Sequence, residues 1–326
     1  MNLLITGGAG YIGSHVVLAA LDQGCHVTVF DNLSTGVEQN INDKTRFVFG
    51  SISSKNELLK LFKNNKYDAV IHLAGSKAAG DSMLNPLKYA EDNIMHGLNL
   101  INSCVEHGVK IFIFSSSAAV YGKPQYIPID ETHPLKPYNY YGYTKLVIEE
   151  NLKWFSMLKK IQFASLRYFN AAGYDINNRI NGIEINPQNL IPIVMETAIG
   201  KRKKVKIYGN DYKTLDGTGV RDYVHVNDLA KAHLNAIDYI LKNEKDLTIN
   251  LGTETGYSVL EIINKTMHKS NKIIGYDFKN RRVGDSDVLI SKSSLAKELI
   301  NWEATYSDLD TIISSTWQVY KKKLSL

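Results

Sequence analysis

Short apolar runs alternate with amphipathic stretches through the first half of the chain. Residues 3–6 (LLIT) form a run too short for a helix, while the spacing over 12–23, closed by Gly24, predicts a helix. The runs at 26–30 (HVTVF), 46–49 (RFVF), 68–73 (DAVIHL), 110–114 (KIFIF) and 163–168 (FASLRY) predict further strands. Between them, Ser54 is placed to cap a helix through Phe62, with Glu57 as the acid of a capping box. Pro86 opens a long helix reaching about His107, and residues 141–158 read as another. Strands that alternate with helices imply a parallel sheet covered on both faces.

After Phe169 the pattern changes. Residues 170–218 are rich in Asn, Gly, Pro and Tyr, with one clear helix at 190–199. Loops of this kind over a rigid sheet usually carry binding function. A strand at 248–251 and a helix from Ser258 follow. The expected division is a cofactor-binding domain over 1–170 and a smaller α/β substrate lobe over 171–326, with segments around 222–251 returning to the first.

The chain has 326 residues, 44 % hydrophobic and 22 % charged, which suits two lobes around a shared cleft. Its net charge of +5 is concentrated in clusters such as Lys201-Arg202-Lys203-Lys204 and Lys321-Lys322-Lys323. These read as solvated surface rather than a nucleic-acid footprint, and the balance suits an anionic small substrate. No apolar run approaches the roughly 20 residues needed to span a bilayer, and residues 1–6 do not read as a secretory signal. Cys25 and Cys104 lie in or beside apolar segments without metal-ligand spacing. The expectation is a cytoplasmic protein with reduced thiols and no metal, membrane or nucleic-acid partner.

Gly7-Gly8-Ala9-Gly10-Tyr11-Ile12-Gly13 follows the first strand and opens the first helix. Gly7, Gly10 and Gly13 fit a tight turn that lets the backbone approach a diphosphate at a helix N-terminus. Asp31 ends the next strand, where a carboxylate accepts from adenosine ribose hydroxyls and repels a 2′-phosphate. That combination predicts a Rossmann-type doubly wound sheet binding NAD rather than NADP. Tyr141 and Lys145 stand four apart on a predicted helix and so share a face. A nearby ammonium, together with the positive nicotinamide, would stabilise a phenolate that is otherwise rare at neutral pH. Ser117, at the end of the 110–114 strand, could hydrogen-bond the same substrate hydroxyl.

In order, GGAGYIGSH, DNLSTG, HLAGSKA, FIFSSSAAVYG, YYGYTK, LRYFNAAG, GTGVRDYVHV and RRVGDS resemble the UDP-glucose 4-epimerase family of the extended short-chain dehydrogenase/reductase superfamily, from Gly7 to about Ser291. The resemblance implies that Tyr141 is the base on the sugar 4-hydroxyl, Lys145 binds the nicotinamide ribose and Ser117 assists proton handling. It implies cofactor contacts from Tyr11, Ile12, Asn32, Ser51, Ile52, Lys77 and Asn93, with Tyr168 near the nicotinamide. It places Asn170, Asn189, Leu190, Tyr208, Arg221, Arg282 and Asp285 on the UDP portion, where two arginines can clamp a diphosphate. It also implies a homodimer, paired through the helices at about 86–107 and 141–158.

Two positions depart from the family pattern. Ser51-Ile52 stands where Asp-Ile or Asp-Leu is usual, which implies weaker adenine anchoring. Tyr140 replaces the usual proline before the Tyr-Gly. By the same resemblance, Leu289 lies where side-chain bulk limits the pocket around the sugar 2-substituent, so N-acetylated UDP-hexoses are expected substrates beside UDP-glucose and UDP-galactose. UDP-pentoses stay open. A dehydratase would need an acidic pair after Ser117, where Ala118-Ala119 stand, and a decarboxylase is disfavoured by the overall match. A non-catalytic NAD-binding relative would typically lack the Tyr141/Lys145 pair.

Overall fold

The computed structural model describes residues 1–282 and 284–324, so Val283 of the RRVGDS stretch lies outside the described residues. Seven strands build the main sheet: β1 (Asn2–Thr6), β2 (His26–Asp31), β3 (Arg46–Phe49), β4 (Ala69–His72), β5 (Ile111–Ser117), β6 (Gln162–Tyr168) and β7 (Leu247–Leu251). They run in the order β7-β6-β5-β4-β1-β2-β3, every pair parallel. The strand order reverses between β1 and β4, which opens a crevice at their carboxyl ends. This is the α/β Rossmann arrangement.

The strands read as continuous apolar runs because both faces are covered. Leu3, Ile5, Val27, Val29, Ile71 and Ile113 point to one face, against helices α1 (Tyr11–Asp22) and α6 (Val226–Asn243). Leu4, Phe30, Val70, Phe112 and Phe114 point to the other. There they meet α2 (Lys55–Lys63), α3 (His96–Glu106) and α4 (Tyr140–Lys159). A separate core joins α5 (Leu190–Ala198), α7 (Val259–Ser270) and α8 (Leu309–Lys321) to a short strand at Val205–Tyr208. α6 and β7 lie on the main sheet although they follow the loop-rich segment, and Ala296, Ile300 and Trp302 pack on the same face. Among the described residues, no helix is long and apolar enough to cross a membrane.

Two local expectations change. Ser54 does cap α2, accepting from Glu57 N at 3.3 Å. The Glu57 carboxylate reaches past it, however, and accepts from Ser51 N at 2.7 Å. The reciprocal capping box sits instead at Ser258 and Glu261, at the start of α7. The long helix from Pro86 also contains a π turn at Ala90–Met95. That wider turn carries Asn93, consistent with the tendency of π turns to occur where a side chain is being placed.

Candidate active site

The glycine loop crosses the sheet so closely that side chains are excluded. Gly7 has φ +75°, and a Cβ there would lie 2.6 Å from Ala74 N; at Gly13 it would lie 2.1 Å from Gly7 O. Gly10 N donates to Gly7 O at 3.1 Å, and Gly10 then caps α1 without a side chain. The helix therefore presents free backbone donors to the crevice. Asp31 Oδ2 accepts from Ala9 N at 3.0 Å and Oδ1 from Leu33 N at 2.8 Å. One carboxylate thus props the glycine loop and keeps lone pairs for a ribose. Asn32 Oδ1 accepts from Ser34 N at 3.0 Å, turning the chain beside it.

A cleft of about 550 Å³ lies over this loop, and Gly7, Gly10, Tyr11, Ile12, Gly13, Asp31, Asn32, Ser51, Ile52 and Lys77 line it. Tyr11 OH donates to Gly173 O at 2.5 Å, tying α1 to the segment after β6. Ser51 Oγ lies 2.8 Å from Ser53 Oγ, so its hydroxyl is shared with its own turn. Lys77 Nζ forms an ion pair with Glu184 at 2.5 Å, across the cleft. Gly182 N donates to Asn40 Oδ1 at 3.0 Å on the β2 side. The 182–184 segment therefore straps the crevice from both rims. Glu184 and Asn40 were not legible as site residues, because their partners are more than 100 positions away in sequence.

Tyr141, Lys145, Ser117, Tyr168 and Asn170 line the opposite wall. Lys145 Nζ donates to Ser115 O at 2.8 Å and lies 5.7 Å from the Tyr141 ring centroid. Burial pulls Lys145 down to about 8, and Glu149 works against that shift. Burial raises the Tyr141 phenol above its usual range, and only the Ser117 side chain pulls the other way. The ammonium therefore does not by itself produce the depressed phenol that the spacing suggests. Ser117 Oγ also accepts from Ala119 N at 3.2 Å. Tyr168 OH meets His233 Nε2 at 2.5 Å. His233 Nδ1 lies 2.8 Å from Leu229 O and must donate to that carbonyl, so Nε2 accepts from the tyrosine. His233 is a third residue that the sequence pattern did not mark.

Asn93 is not among the cleft-lining residues. Its Oδ1 accepts from Ser76 N at 2.8 Å, and its Nδ2 donates to Ser76 O at 2.9 Å and Thr144 Oγ1 at 3.0 Å. It buttresses the loop after β4 against α4, one residue from Lys145.

The remaining positions divide. Asn189 lines the cleft at the N-terminus of α5, and its side chain makes no cap hydrogen bond among the described residues. Leu190, its neighbour, packs against the second core. Tyr208, Arg221, Arg282, Asp285 and Leu289 stand together but off the walls of that cleft. The Arg282 guanidinium lies 3.9 Å from the Tyr208 ring centroid. Arg221 pairs with Asp285 at 3.7 Å and sits in register with Leu289 on short parallel strands. Leu289 packs against a small cluster that includes Ala118 and Phe169, the neighbours of Ser117 and Tyr168.

The glycine cradle, the carboxylate at the end of β2 and the Tyr141/Lys145 wall define a dinucleotide-dependent enzyme of the short-chain dehydrogenase/reductase kind. The chain belongs to the NAD dependent epimerase/dehydratase family, whose model matches residues 3–252. It is 42 % identical over 322 residues to the UDP-glucose 4-epimerase of Halalkalibacterium halodurans, covering 99 % of this chain and 96 % of that one. The Bifidobacterium longum UDP-glucose 4-epimerase, solved in complex with NAD+ and UDP, superposes with a TM-score of 0.93. It is 36 % identical, with 99 % and 98 % of the two chains covered. The UDP-Glc/GlcNAc 4-epimerase of Campylobacter jejuni superposes at 0.86 and is 40 % identical over 98 % and 99 %. NAD is the family's cofactor, and the glycine cradle fits it.

Proposed function

We propose that this chain is an isomerase that inverts C4 of UDP-hexoses through a 4-keto sugar, with NAD bound throughout. The observation that carries this reading is the placement of Tyr141, Lys145 and Ser117 on one wall of the cleft whose floor is the glycine loop. Gly7, Gly10 and Gly13 admit the diphosphate, Asp31 receives the adenosine ribose, and Lys145 binds the second ribose. Bound NAD supplies a hydride acceptor, later the donor, and a positive charge beside the phenol. Tyr141 takes the 4-hydroxyl proton and returns it after the sugar has turned over. Ser117 relays that proton. Burial favours the neutral phenol, so the proton is released only when positive charge faces it.

Asn170, Asn189, Tyr208, Arg221, Arg282 and Asp285 hold the UDP handle in this reading. A firm grip on the remote UDP retains the keto sugar while it rotates. Tyr208, Arg221, Arg282 and Asp285 form a separate paired and stacked group for that handle. Residues 1–170 with the returning 222–251 segment form the cofactor part, and the rest the sugar-nucleotide part. The reading includes UDP-N-acetylhexoses. Leu289, beside the neighbours of Ser117 and Tyr168, is the gate, and the likeness to a relative described as acting on both sugars supports this.

The reading also includes a homodimer. Leu87 and Met95 on the helix from Pro86 and Trp154, Met157 and Leu158 on α4 leave large apolar side chains exposed, which suits a helix-to-helix contact. A cytoplasmic setting fits the two free, buried cysteines.

The test is incubation of the protein with UDP-galactose and, separately, UDP-N-acetylgalactosamine, with products resolved by NMR. Gluco epimers from both support the full reading. Product from UDP-galactose alone removes the N-acetyl substrates. No product from either, with NAD bound, removes the hexose reading and directs the assay to UDP-pentoses.

A further inference from the structure

Tyr141, Lys145 and Glu149 recur at four-residue spacing, so α4 presents all three on one face. Opposite lies the end of β5, where Ser115 and Ser116 hydrogen-bond two of them and Ser117 lines the cleft with the third. The Ser115 carbonyl accepts from Lys145 Nζ at 2.8 Å. Ser116 Oγ donates to Glu149 Oε1 at 2.5 Å. The Ser117 side chain acts on the Tyr141 phenol. Helix and strand are stitched together residue by residue, and Glu149 makes the innermost stitch.

Glu149 is fully buried and is held from a third element. Arg167 of β6 donates to it through Nε at 3.0 Å and Nη2 at 2.6 Å. The remaining nitrogen, Nη1, donates to Tyr121 OH at 2.9 Å, and that hydroxyl donates to Asn250 Oδ1 at 2.6 Å on β7. Arg167 precedes Tyr168 and Ser116 precedes Ser117, so two cleft-lining residues hang from neighbours clamped by this carboxylate. A buried ion pair is a poor way to gain stability, because apolar residues of the same volume often do as well. Its geometric value is that it fixes three elements in one register.

We propose that Glu149, clamped by Arg167, is a positioning residue that sets the register of α4 against the end of β5 and thereby holds Tyr141 and Lys145 at the cleft. It touches neither cofactor nor sugar. The proposal rests on the epimerase reading above. Among the described residues, the titratable groups facing the pair are Glu149 on α4 itself, His72 from β4, Tyr89 from the helix opened by Pro86 and Tyr168 from β6. Burial and Lys145 hold His72 down to about 3, so it stays neutral, and Glu149 is the charge that supports the ammonium.

The test uses NAD-loaded wild-type protein, Glu149→Gln, Ser116→Ala and the double variant Glu149→Leu/Arg167→Met. One readout needs no substrate: ultraviolet titration of the Tyr141 phenol, as the difference from Tyr141→Phe. The other is kcat, KM and the pH profile with UDP-galactose. The double variant should unfold close to the wild-type temperature yet lose about tenfold or more in kcat, with KM changed less than about threefold. Glu149→Gln should move the alkaline limb of the kcat profile, where Lys145 loses its proton, to lower pH. Ser116→Ala, which leaves the ion pair intact, should lose a few-fold in kcat, and both it and Glu149→Gln should shift the phenol titration away from its wild-type position. A folded double variant with wild-type kcat and titration overturns the proposal. If that variant does not fold, wild-type behaviour of Ser116→Ala and Glu149→Gln overturns it. Failure of the wild-type protein to turn over UDP-galactose would defeat the epimerase reading instead. The phenol titration would then still decide the positioning role, a shift supporting it and no shift overturning it.

Discussion

The wall that fits the cofactor and the wall proposed for the sugar nucleotide are built differently. The first is backbone: glycines packed to within van der Waals limits, a helix N-terminus and a carboxylate that props the loop. Its donors are set before anything binds. The second is side chain: arginines and tyrosines on separate short segments, stacked or paired with one another and off the cleft walls. A wall of backbone has one geometry and tolerates little substitution. A wall of long side chains has rotamer freedom that a backbone wall lacks, which suits the turning sugar of the proposed reaction.

The largest effect should come from the surface between the two. Tyr141→Phe removes the proposed base on the sugar 4-hydroxyl, and kcat should fall roughly 10²–10⁴-fold with KM little changed; steady-state kinetics checks this. Next is acid stability, which rests on four buried histidines. His15 and His233 are held at about 4, and His72 and His225 at about 3, all by burial. An unfolded histidine takes up a proton near pH 6.5 that these refuse when folded. Stability is therefore full above about pH 6.5 and falls as pH drops below it. Each histidine costs about 1.4 kcal/mol per pH unit until its own folded value is reached. Urea unfolding at pH 7.5 and 5.5 measures the loss, and equal stability at both would contradict the neutral assignments.

Gly13→Ala forces a methyl group against Gly7 O and should cost about 1–3 kcal/mol. It should also weaken NAD binding, read by thermal unfolding with and without NAD. Arg282→Ala should instead leave folding and NAD binding intact and raise KM for the UDP-sugar about tenfold, the size of one charge-assisted contact. If Arg282→Ala melts like Gly13→Ala, the contrast between the walls is wrong. The smallest effect belongs to the strap. Lys77 is about half exposed, so its pair with Glu184 is screened. Glu184→Gln should speed NAD release by no more than a few-fold, given the roughly 0–1 kcal/mol of exposed pairs; displacement by labelled NAD reads it.

Much of the cofactor wall was legible because its rules are local. Gly10 and Gly13 are dictated by contacts within a few positions, Gly7 by the positive φ of its turn as well as by the distant Ala74, and Asp31 by its place at a strand end. The Tyr141/Lys145 face follows from helical spacing alone. Other features depended on partners far along the chain. Glu57 looked like a capping-box acid but is drawn to Ser51, because the turn before α2 presents a nearer free N–H. Asn93 carried the expectation of a cofactor contact, and its amide bonds to Ser76 and Thr144 from a π turn were not legible in the sequence.

The sequence by itself determined the alternation of strands and helices, the glycine cradle and the pairing of a tyrosine with a lysine. These follow from periodicity, steric exclusion and four-residue spacing, which act over short stretches. Only the tertiary structure decided that Arg167 clamps Glu149 behind the active face, that His233 holds Tyr168, and that the 182–184 segment crosses the cleft. Each of these joins groups from separate elements. A buried charge or donor is satisfied by whichever partner the packed fold brings within reach, and no local pattern names that partner.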